Sequence, residues 1–406
     1  MLRLPTENTL DREENIMAEW ITTTLEECTD ILGDGLHGTP KYTENGEYAF
    51  VNGNNLVDGE ILIKKETKRV DYSQYDKYKK PLTNRTILVS INGTLGNVGV
   101  YGSEKIILGK SACYFNVKES VDKDFIYYIV SSPTFKQYLE SNATGTTIKN
   151  ISLKQMREYT FELPEIGEQK RISSVLRKID EKIKNNRAIN NNLEQQMEAL
   201  YKSWFIDFEP FNGAKPENWS KTNIYSIADI IYGAPFSSKL FNTDGVGKPI
   251  IRIRDLKNQE FVTYTTEEHP KGHLIQPGDI IVGMDGEFRP YIWGNESAWL
   301  NQRVCIFENK RPKGKAFVFF TIKPLLNVIE QTQVATTVIH IGKKDYDAFE
   351  ITLPDKTSLD RFDEITAPMI DQIITNRLEN KRLAALRDAL LPKLMSGELD
   401  VSNIYL

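Results

Sequence analysis

The chain of 406 residues carries one sequence pattern twice. The Leu-Pro pair at 163–164 recurs at 353–354, and the ends of the two halves align without gaps at this offset of 190 positions. Further upstream, ILVSING at 87–93 corresponds to IIVGMDG at 280–286. A gapless correspondence of this extent is hard to produce by chance. The chain therefore contains one structural unit present twice, and its fold must have two similar halves.

Each unit has two parts, which meet at the Leu-Pro pair. Before it, Gly, Asn and Pro punctuate short β-branched runs such as 86–91 and 279–283, a pattern typical of strands in a mixed, loop-rich domain. A helical stretch is expected near 124–140. After the Leu-Pro pair, glycine is absent from Glu168 through Asn212, and apolar residues recur at alternating gaps of three and four. This spacing predicts a long helix with a coiled-coil seam.

The predicted seam contains asparagine at matching places in both helices, namely Asn186 and Asn190 in the first and Asn376 and Asn380 in the second. A polar seam residue costs stability but fixes register, because a slipped pairing leaves its amide unsatisfied. The two helices are therefore predicted to pair with each other. Independent amphipathic helices that each cover their own domain are the alternative. Pro368 predicts a kink or a restart near the beginning of the second helix.

These patterns predict an α+β fold with a pseudo-twofold internal repeat. Two loop-rich mixed α/β domains are separated by two long antiparallel coiled-coil helices. The predicted segments are an N-terminal extension at 1–19, a first domain at 20–164, a first helix at 165–211, a second domain at 212–354, and a second helix with a C-terminal tail at 355–406.

Composition limits the class of protein. Hydrophobic residues make up 40% and charged residues 26% of the chain, which is typical of globular domains. No apolar segment reaches membrane-spanning length, and the N-terminal sequence lacks the features of a secretory peptide, so a cytoplasmic location without a membrane partner is expected. The cysteines Cys28, Cys113 and Cys305 form no C-x-x-C pair and are expected to be buried. The net charge of −5 requires that any DNA-binding surface hold an uneven share of the cations.

Three segments resemble one family. They are LPEIGEQKRI at 163–172, ALYKSWFIDFEPF at 199–211 and LRDALLPKLMSGELDV at 386–401. In this order and spacing they are similar to the helices and carboxyl end of specificity subunits from type I restriction-modification systems. The resemblance implies that the two domains are target recognition domains, each of which binds half of a bipartite site in double-stranded DNA.

The resemblance also implies partners and cofactors outside this chain. Two methyltransferase subunits would dock on the helices and bring S-adenosylmethionine for adenine methylation, and two translocase-nuclease subunits would bring ATP and Mg²⁺ for cleavage. The chain itself is expected to be non-catalytic and to hold no cofactor or metal. A helix of about 40 residues spans roughly 60 Å, enough to set the unspecified spacer between the half-sites. Four residues inserted between Trp204 and Phe211 are expected to lengthen that spacer.

Candidate enzyme motifs in the sequence are incomplete. GKS at 109–111 lacks the preceding glycine spacing of a phosphate-binding loop, and ETK at 66–68 is common on solvated surfaces. His269 and His273 flank Pro and Gly, which disfavours a helix that would align them as metal ligands. The chain also lacks the Asn/Asp-Pro-Pro-aromatic segment that amino-methyltransferases use.

Candidate DNA contacts follow from side-chain chemistry. Arginine pairs with guanine and asparagine with adenine, while lysine, threonine and backbone amides serve phosphates. For each candidate, ordinary surface solvation is the alternative, and the threonine pairs could simply cap helices. The candidates are Asn52, Asn54, Asn55, Lys64, Lys65, Lys68, Arg69, Lys110, Thr146, Thr147, Arg252, Arg254, Arg289, Arg303, Thr336 and Thr337.

Two other functions remain open on the sequence alone. A stand-alone regulator with an internal pseudo-dimer would bind a split operator tightly without partners. A coiled-coil tether would show no salt-dependent DNA affinity.

Overall fold

The fold is divided into two units, each of which combines one repeated half with pieces of both long helices. The computed structural model describes residues 20–145, 148–286, 288–332 and 340–401. The first unit contains the described residues up to Ile179 and from Leu386 onward, and the second unit is Asp180–Ala385. The predicted α+β class, with two mixed domains and two long helices, is confirmed.

Two sheets form the centre of the first unit. Its elements are β1 Ile21–Thr24, β2 Thr29–Asp34, β3 Tyr48–Val51, β4 Leu56–Val57, β5 Glu60–Ile61, β6 Arg69–Val70, α1 Tyr72–Tyr78, β7 Thr86–Ser90, β8 Val98–Val100, β9 Ile106–Leu108, β10 Ala112–Val117, α2 Lys123–Ser131, α3 Pro133–Asn142, α4 Leu153–Arg157, β11 Thr160–Leu163 and α5 Ile166–Phe205, which continues into the second unit. One sheet is antiparallel with the order β2-β10-β7-β8, and the other has the order β6-β3-β9. The pairs β1-β11 and β4-β5 complete the unit.

The four-stranded sheet of the first unit is buried on both faces. Ile87 and Phe115 face a core that includes α2 and α3, whereas Leu88 and Tyr114 face the smaller sheet. This explains why β7 and β10 read as continuous apolar runs, since alternate side chains point to opposite faces and both faces are covered.

The second unit repeats this arrangement. Its elements are β12 Ser220–Asn223, β13 Ala228–Tyr232, β14 Phe241–Asn242, β15 Lys248–Ile251, β16 Tyr264–Thr265, β17 Leu274–Ile275, β18 Ile280–Gly283, β19 Pro290–Ile292, β20 Ala298–Leu300, β21 Val304–Asn309, α6 Lys315–Thr332, α7 Lys343–Asp347, β22 Glu350–Leu353 and α8 Lys356–Met395, which continues into the first unit. The antiparallel sheet β13-β21-β18-β19 has the same topology as β2-β10-β7-β8. Beside it lies a five-stranded sheet, β14-β16-β15-β20-β17, and β12 pairs with β22.

Helices α5 and α8 have the same length of 40 residues, and each end of α8 lies 190 positions after the corresponding end of α5. In the first unit, Ile172 and Leu176 of α5 share a core with Leu391 and Leu394 of α8. Both helices therefore contribute buried side chains to the same domain.

The two helices pair directly within the second unit. Asn376 donates to Asn190 (Nδ2 to Oδ1, 2.8 Å), and Asn186 donates to Asn380 (2.9 Å). The helices are antiparallel, because the later residue of α5, Asn190, pairs with the earlier residue of α8, Asn376. Asn186 also donates to Glu379 Oε2 at 2.7 Å, and this hydrogen bond holds the pKa of that carboxyl below its usual value. If the asparagines fix the register of the two helices, they must form hydrogen bonds between them, as they do here. That they fix the register stays a prediction.

The buried asparagine pair gives a test of register. Asn376→Ala is expected to lower the free energy of unfolding by about 1–3 kcal/mol, because Asn190 Oδ1 loses its donor in a buried layer. The double variant Asn190→Leu/Asn376→Leu is expected to have a free energy of unfolding equal to that of the wild type or higher, because neither position then holds an amide without a partner. Urea unfolding of the full chain measures both, with exposed Asn191→Ala as the control. A double variant as unstable as the single one would contradict the account.

The predicted restart at Pro368 is wrong, whereas the kink stays a prediction. Helix α8 runs through Pro368 without a break. Both Pro368 and Glu364, whose carbonyl loses its usual donor, are exposed, so water can take the place of that donor. On the buried face, Thr366 donates to the carbonyl of Phe362 at 2.9 Å, and the seam continues.

The cysteines are free and buried, as predicted. Burial raises the pKa of the Cys305 thiol to about 12 and also raises that of Cys113. Within the described part of the chain, no helix is both long and apolar enough to cross a membrane.

Candidate nucleic-acid interface

Loops at the strand ends of the first unit are held together by backbone hydrogen bonds. Gly109 donates to Val51 at 2.8 Å, Ile91 donates to Ser111 at 2.9 Å, and Ile151 donates to Ile91 at 2.9 Å. These bonds join segments that are far apart in the chain. We call the joined residues the first loop cluster, which consists of 51–55, 91–93, 109–111 and Asn150.

The second unit contains the same framework. Asn301 donates to Ile251 at 3.3 Å, Met284 donates to Arg303 at 2.9 Å, and Ile341 donates to Met284 at 2.8 Å. Each bond has its counterpart in the first unit at the position that the sequence repeat predicts. We call the joined residues the second loop cluster, which consists of 251–255, 284–286, 301–303 and His340. The two clusters share a backbone and differ in side chains.

Three asparagines of the first loop cluster, Asn52, Asn54 and Asn55, lie on one tight turn. Asn55 is buried; its Oδ1 accepts from the Asn52 backbone N at 3.0 Å, and its Nδ2 donates to the Leu62 carbonyl at 3.0 Å. Asn55 therefore stabilises the turn, and its side chain is not presented at the surface. Asn52 is half-buried, with its Oδ1 accepting from Ser111, and Asn54 is exposed. The turn thus leaves Asn52 and Asn54 as its available amides.

The lysine and arginine residues of the first unit that were predicted to contact DNA differ in their exposure to solvent. Lys64, Lys65, Lys68 and Lys110 are exposed. Arg69 is half-buried, and its guanidinium lies 3.4 Å from the carbonyl oxygens of Gly46 and Glu47, just before β3. The lysines suit contacts with phosphates, whereas Arg69 is largely engaged within the domain.

The corresponding turn of the second unit carries arginines. Asp255 takes the place of Asn55, is buried, and accepts from the Arg252 backbone N at 3.0 Å. Burial raises the pKa of Asp255. Arg252 lies over the Phe241 ring at 6.0 Å, and Arg254 donates to Thr263 at 3.2 Å. These arginines occupy the places of Asn52 and Asn54.

Arg303 occupies the place of Ser111. Its Nη1 lies 3.4 Å from Asp285 Oδ1 and 3.1 Å from His340 Nδ1. His340 Nδ1 in turn lies 2.6 Å from Asp285 Oδ1. Arg289 is exposed in the loop after β18. Thr146, Thr147, Thr336 and Thr337 lie outside the described residues.

The sequence reasoning did not select Asp285 and His340, nor their counterparts Asn92 and Asn150. Asn92 Nδ2 donates to Asn150 Oδ1 at 3.0 Å, so the same two positions interact in both units. The repeat alignment contained the signal, because polar residues occupy these positions in both halves. In the described part of the chain, no group of His, Cys, Asp or Glu is arranged to hold a metal ion.

The model of the type I restriction modification DNA specificity domain matches this chain twice, at residues 17–195 and 216–387. The chain belongs to this family. Each match covers one domain and a large part of the helix that follows it, which is the repeated unit seen in the structure. The protein is a DNA sequence-specificity subunit, and its two domains fit recognition of a bipartite site.

Individual relatives agree with the family match. The chain is 24% identical over 389 residues to the MjaIX specificity subunit of Methanocaldococcus jannaschii, covering 90% of this chain and 87% of the relative. It is 32% identical over 192 residues to the EcoBI specificity subunit of Escherichia coli, covering 45% and 40%. The crystal structure of a type I restriction-modification S subunit from M. genitalium matches in fold, with a TM-score of 0.56, 20% identity and coverage of 94% and 98%.

Proposed function

We propose that each loop cluster of this specificity subunit contacts one half of a bipartite site in double-stranded DNA. The supporting observation is that both clusters have the same backbone framework and present different donors, amides in the first unit and guanidinium groups in the second. A shared backbone framework with different side-chain donors suits two domains that bind DNA in the same orientation and recognise different bases. Helices α5 and α8 then set the spacer between the half-sites and dock the partner subunits.

The chemistry belongs to the partners in this proposal. Two methyltransferase subunits supply S-adenosylmethionine and methylate adenine at N6. Two translocase-nuclease subunits supply ATP and Mg²⁺ for cleavage. The chain acts by binding and orientation, in the cytoplasm, where the DNA of such a system lies.

The proposal predicts that activity requires the complex. The purified chain alone is expected neither to methylate nor to cut DNA, whereas the chain with its methyltransferase subunits should methylate one bipartite motif. Radiolabelled methyl transfer to DNA and sequencing of the methylated sites measure this outcome. The methyltransferase subunits without this chain are the control.

Other outcomes would favour the alternatives. Tight, site-specific binding by the isolated chain, without stable association with a methyltransferase, would support a stand-alone regulator. The absence of any salt-dependent DNA affinity would support a tether, because phosphate contacts release counterions and make binding salt-dependent.

A further inference from the structure

Building on the proposed function, we propose that Arg303 reads a guanine in the second half-site and that Asp285 and His340 orient it. Arg303 thereby becomes a specificity-determining residue of the second domain.

The backbone places the three side chains together. Asp285 and His340 form an antiparallel bridge, and Met284 donates to the carbonyl of Arg303 at 2.9 Å. The Arg303 side chain therefore starts from a strand end that is fixed by its neighbours.

One nitrogen of the Arg303 guanidinium, Nη1, contacts neighbouring side chains, whereas the edge formed by Nη2 and Nε is free of hydrogen bonds to the described residues. Nη1 faces Asp285 Oδ1 at 3.4 Å, and Asp285 Oδ1 is in turn held by His340 Nδ1, which donates to it at 2.6 Å. Within the described part of the chain, Nη2 and Nε have no hydrogen-bond partner, and the Arg303 side chain is 51% exposed. The free edge carries two parallel N–H donors, the geometry that matches O6 and N7 of guanine.

Asp285 suits the role of a positioning residue. Its side chain is only 22% exposed, so it is less available than Arg303 to DNA. It contacts both the arginine and the histidine, and it places a negative charge behind the guanidinium. An arginine held in this way loses less rotamer freedom on binding than an unrestrained one.

The first loop cluster has no equivalent group. Ser111 stands at the Arg303 position, donates to Asn52 Oδ1 at 3.0 Å and accepts from Gly53 N at 3.0 Å. Asn92 and Asn150 bond to each other in place of the acid and the histidine. The requirement for guanine at this position therefore belongs to the second half-site.

The test uses the complete methyltransferase complex and DNA duplexes in which each base pair of the second half-site is replaced in turn. The wild-type complex is expected to prefer one G·C pair by about 10- to 100-fold in methylation rate, the range for one bidentate contact. Arg303→Ala should reduce that preference to below about threefold and leave the preferences in the first half-site unchanged. Asp285→Ala should reduce it partially, at the same base pair only.

Lys221→Ala provides the control, because this exposed residue of β12 lies outside both loop clusters. Thermal unfolding of each complex checks that the variants are folded. If Arg303→Ala slows methylation equally on every duplex, Arg303 contacts a phosphate and the assignment is wrong. A wild-type second half-site without a G·C requirement would also overturn it. A wild-type complex without any sequence preference would overturn the proposed function as well.

Discussion

Replacement of residues 20–163 by the same domain of a relative is expected to change one half of the methylated sequence and leave the other half as it was. The reason lies in the strand pair that closes the domain. Ile21 of β1 pairs with Leu163 of β11, so the two junctions of the exchange lie side by side. The incoming chain therefore enters and leaves at one place, and its internal register is undisturbed.

The exchanged domain must still fit the helices that stay. Gln169 of α5 accepts from the Asp122 backbone N at 2.8 Å and donates to the Pro164 carbonyl at 2.7 Å. Ile172 and Leu176 are fully buried in the domain core. An incoming domain that keeps apolar partners for these side chains should fold. A mismatched core would lower the free energy of unfolding by about 2–5 kcal/mol for each cavity left by a lost Leu or Ile.

Methylome sequencing of cells that carry the chimera and its methyltransferase measures the result. The corresponding exchange of residues 219–353 is the matched control, since β12 and β22 close the second domain in the same way, with Ser220 opposite Leu353. It should change the other half of the motif. A change in both halves after either exchange would show that the domains do not read independently.

Insertion of four helix-forming residues into both long helices is expected to lengthen the unspecified spacer by one or two base pairs while both half-sites stay the same. Four residues add about 6 Å and turn a helix by about 400°, close to one full rotation, whereas base pairs rise about 3.4 Å each. A four-residue insertion is also a form of discontinuity that coiled coils tolerate.

The structure changes where the insertion must be made. The segment between Trp204 and Phe211, which the sequence suggested, lies in the aromatic core of the second unit. The rings of Trp204 and Phe211 are 6.4 Å apart, and Phe208 lies 5.8 Å from Trp219. Extra residues there would break this packing. The points between Ile179 and Asp180 and between Ala385 and Leu386 lie within the helices at the unit boundary.

Two controls sharpen the spacing test. The same four residues placed after Gly213, which is exposed and lies outside the helix, should leave the spacer unchanged. Insertion into α5 alone should abolish activity, because the asparagine layers stay paired while Ile172 and Leu176 shift by about one turn relative to Leu391 and Leu394, with which they share a core. An active double insertion with an unchanged spacer in its methylated motif would show that the helices do not set the spacing.

The sequence by itself determined the repeat, the strands at the centre of each sheet and the two long helices. Helix α5 begins at Ile166, two residues after the Leu-Pro pair, and α8 begins at the equivalent position. Periodicity carries this information, because a helix that buries one face repeats its apolar residues at a fixed interval. The polar layers at Asn186 and Asn190 were visible for the same reason.

The tertiary structure decided what happens at single positions. Pro368 lies within an unbroken helix because its side of α8 faces water, and Asn55 points into its turn while Asn54 points outward. Neither outcome follows from residue type. The local steric rule for proline is outweighed by the packing of the opposite face of the helix.

The contacts around Arg303 were also decided by the fold. Asp285 and His340 are 55 residues apart in the chain, and they meet because a backbone bridge joins the end of β18 to the segment before α7. Loops have no periodic pattern from which such a meeting could be read. Side-chain hydrogen bonds act over about 3 Å, so their partners are decided by which loops the sheets bring into contact.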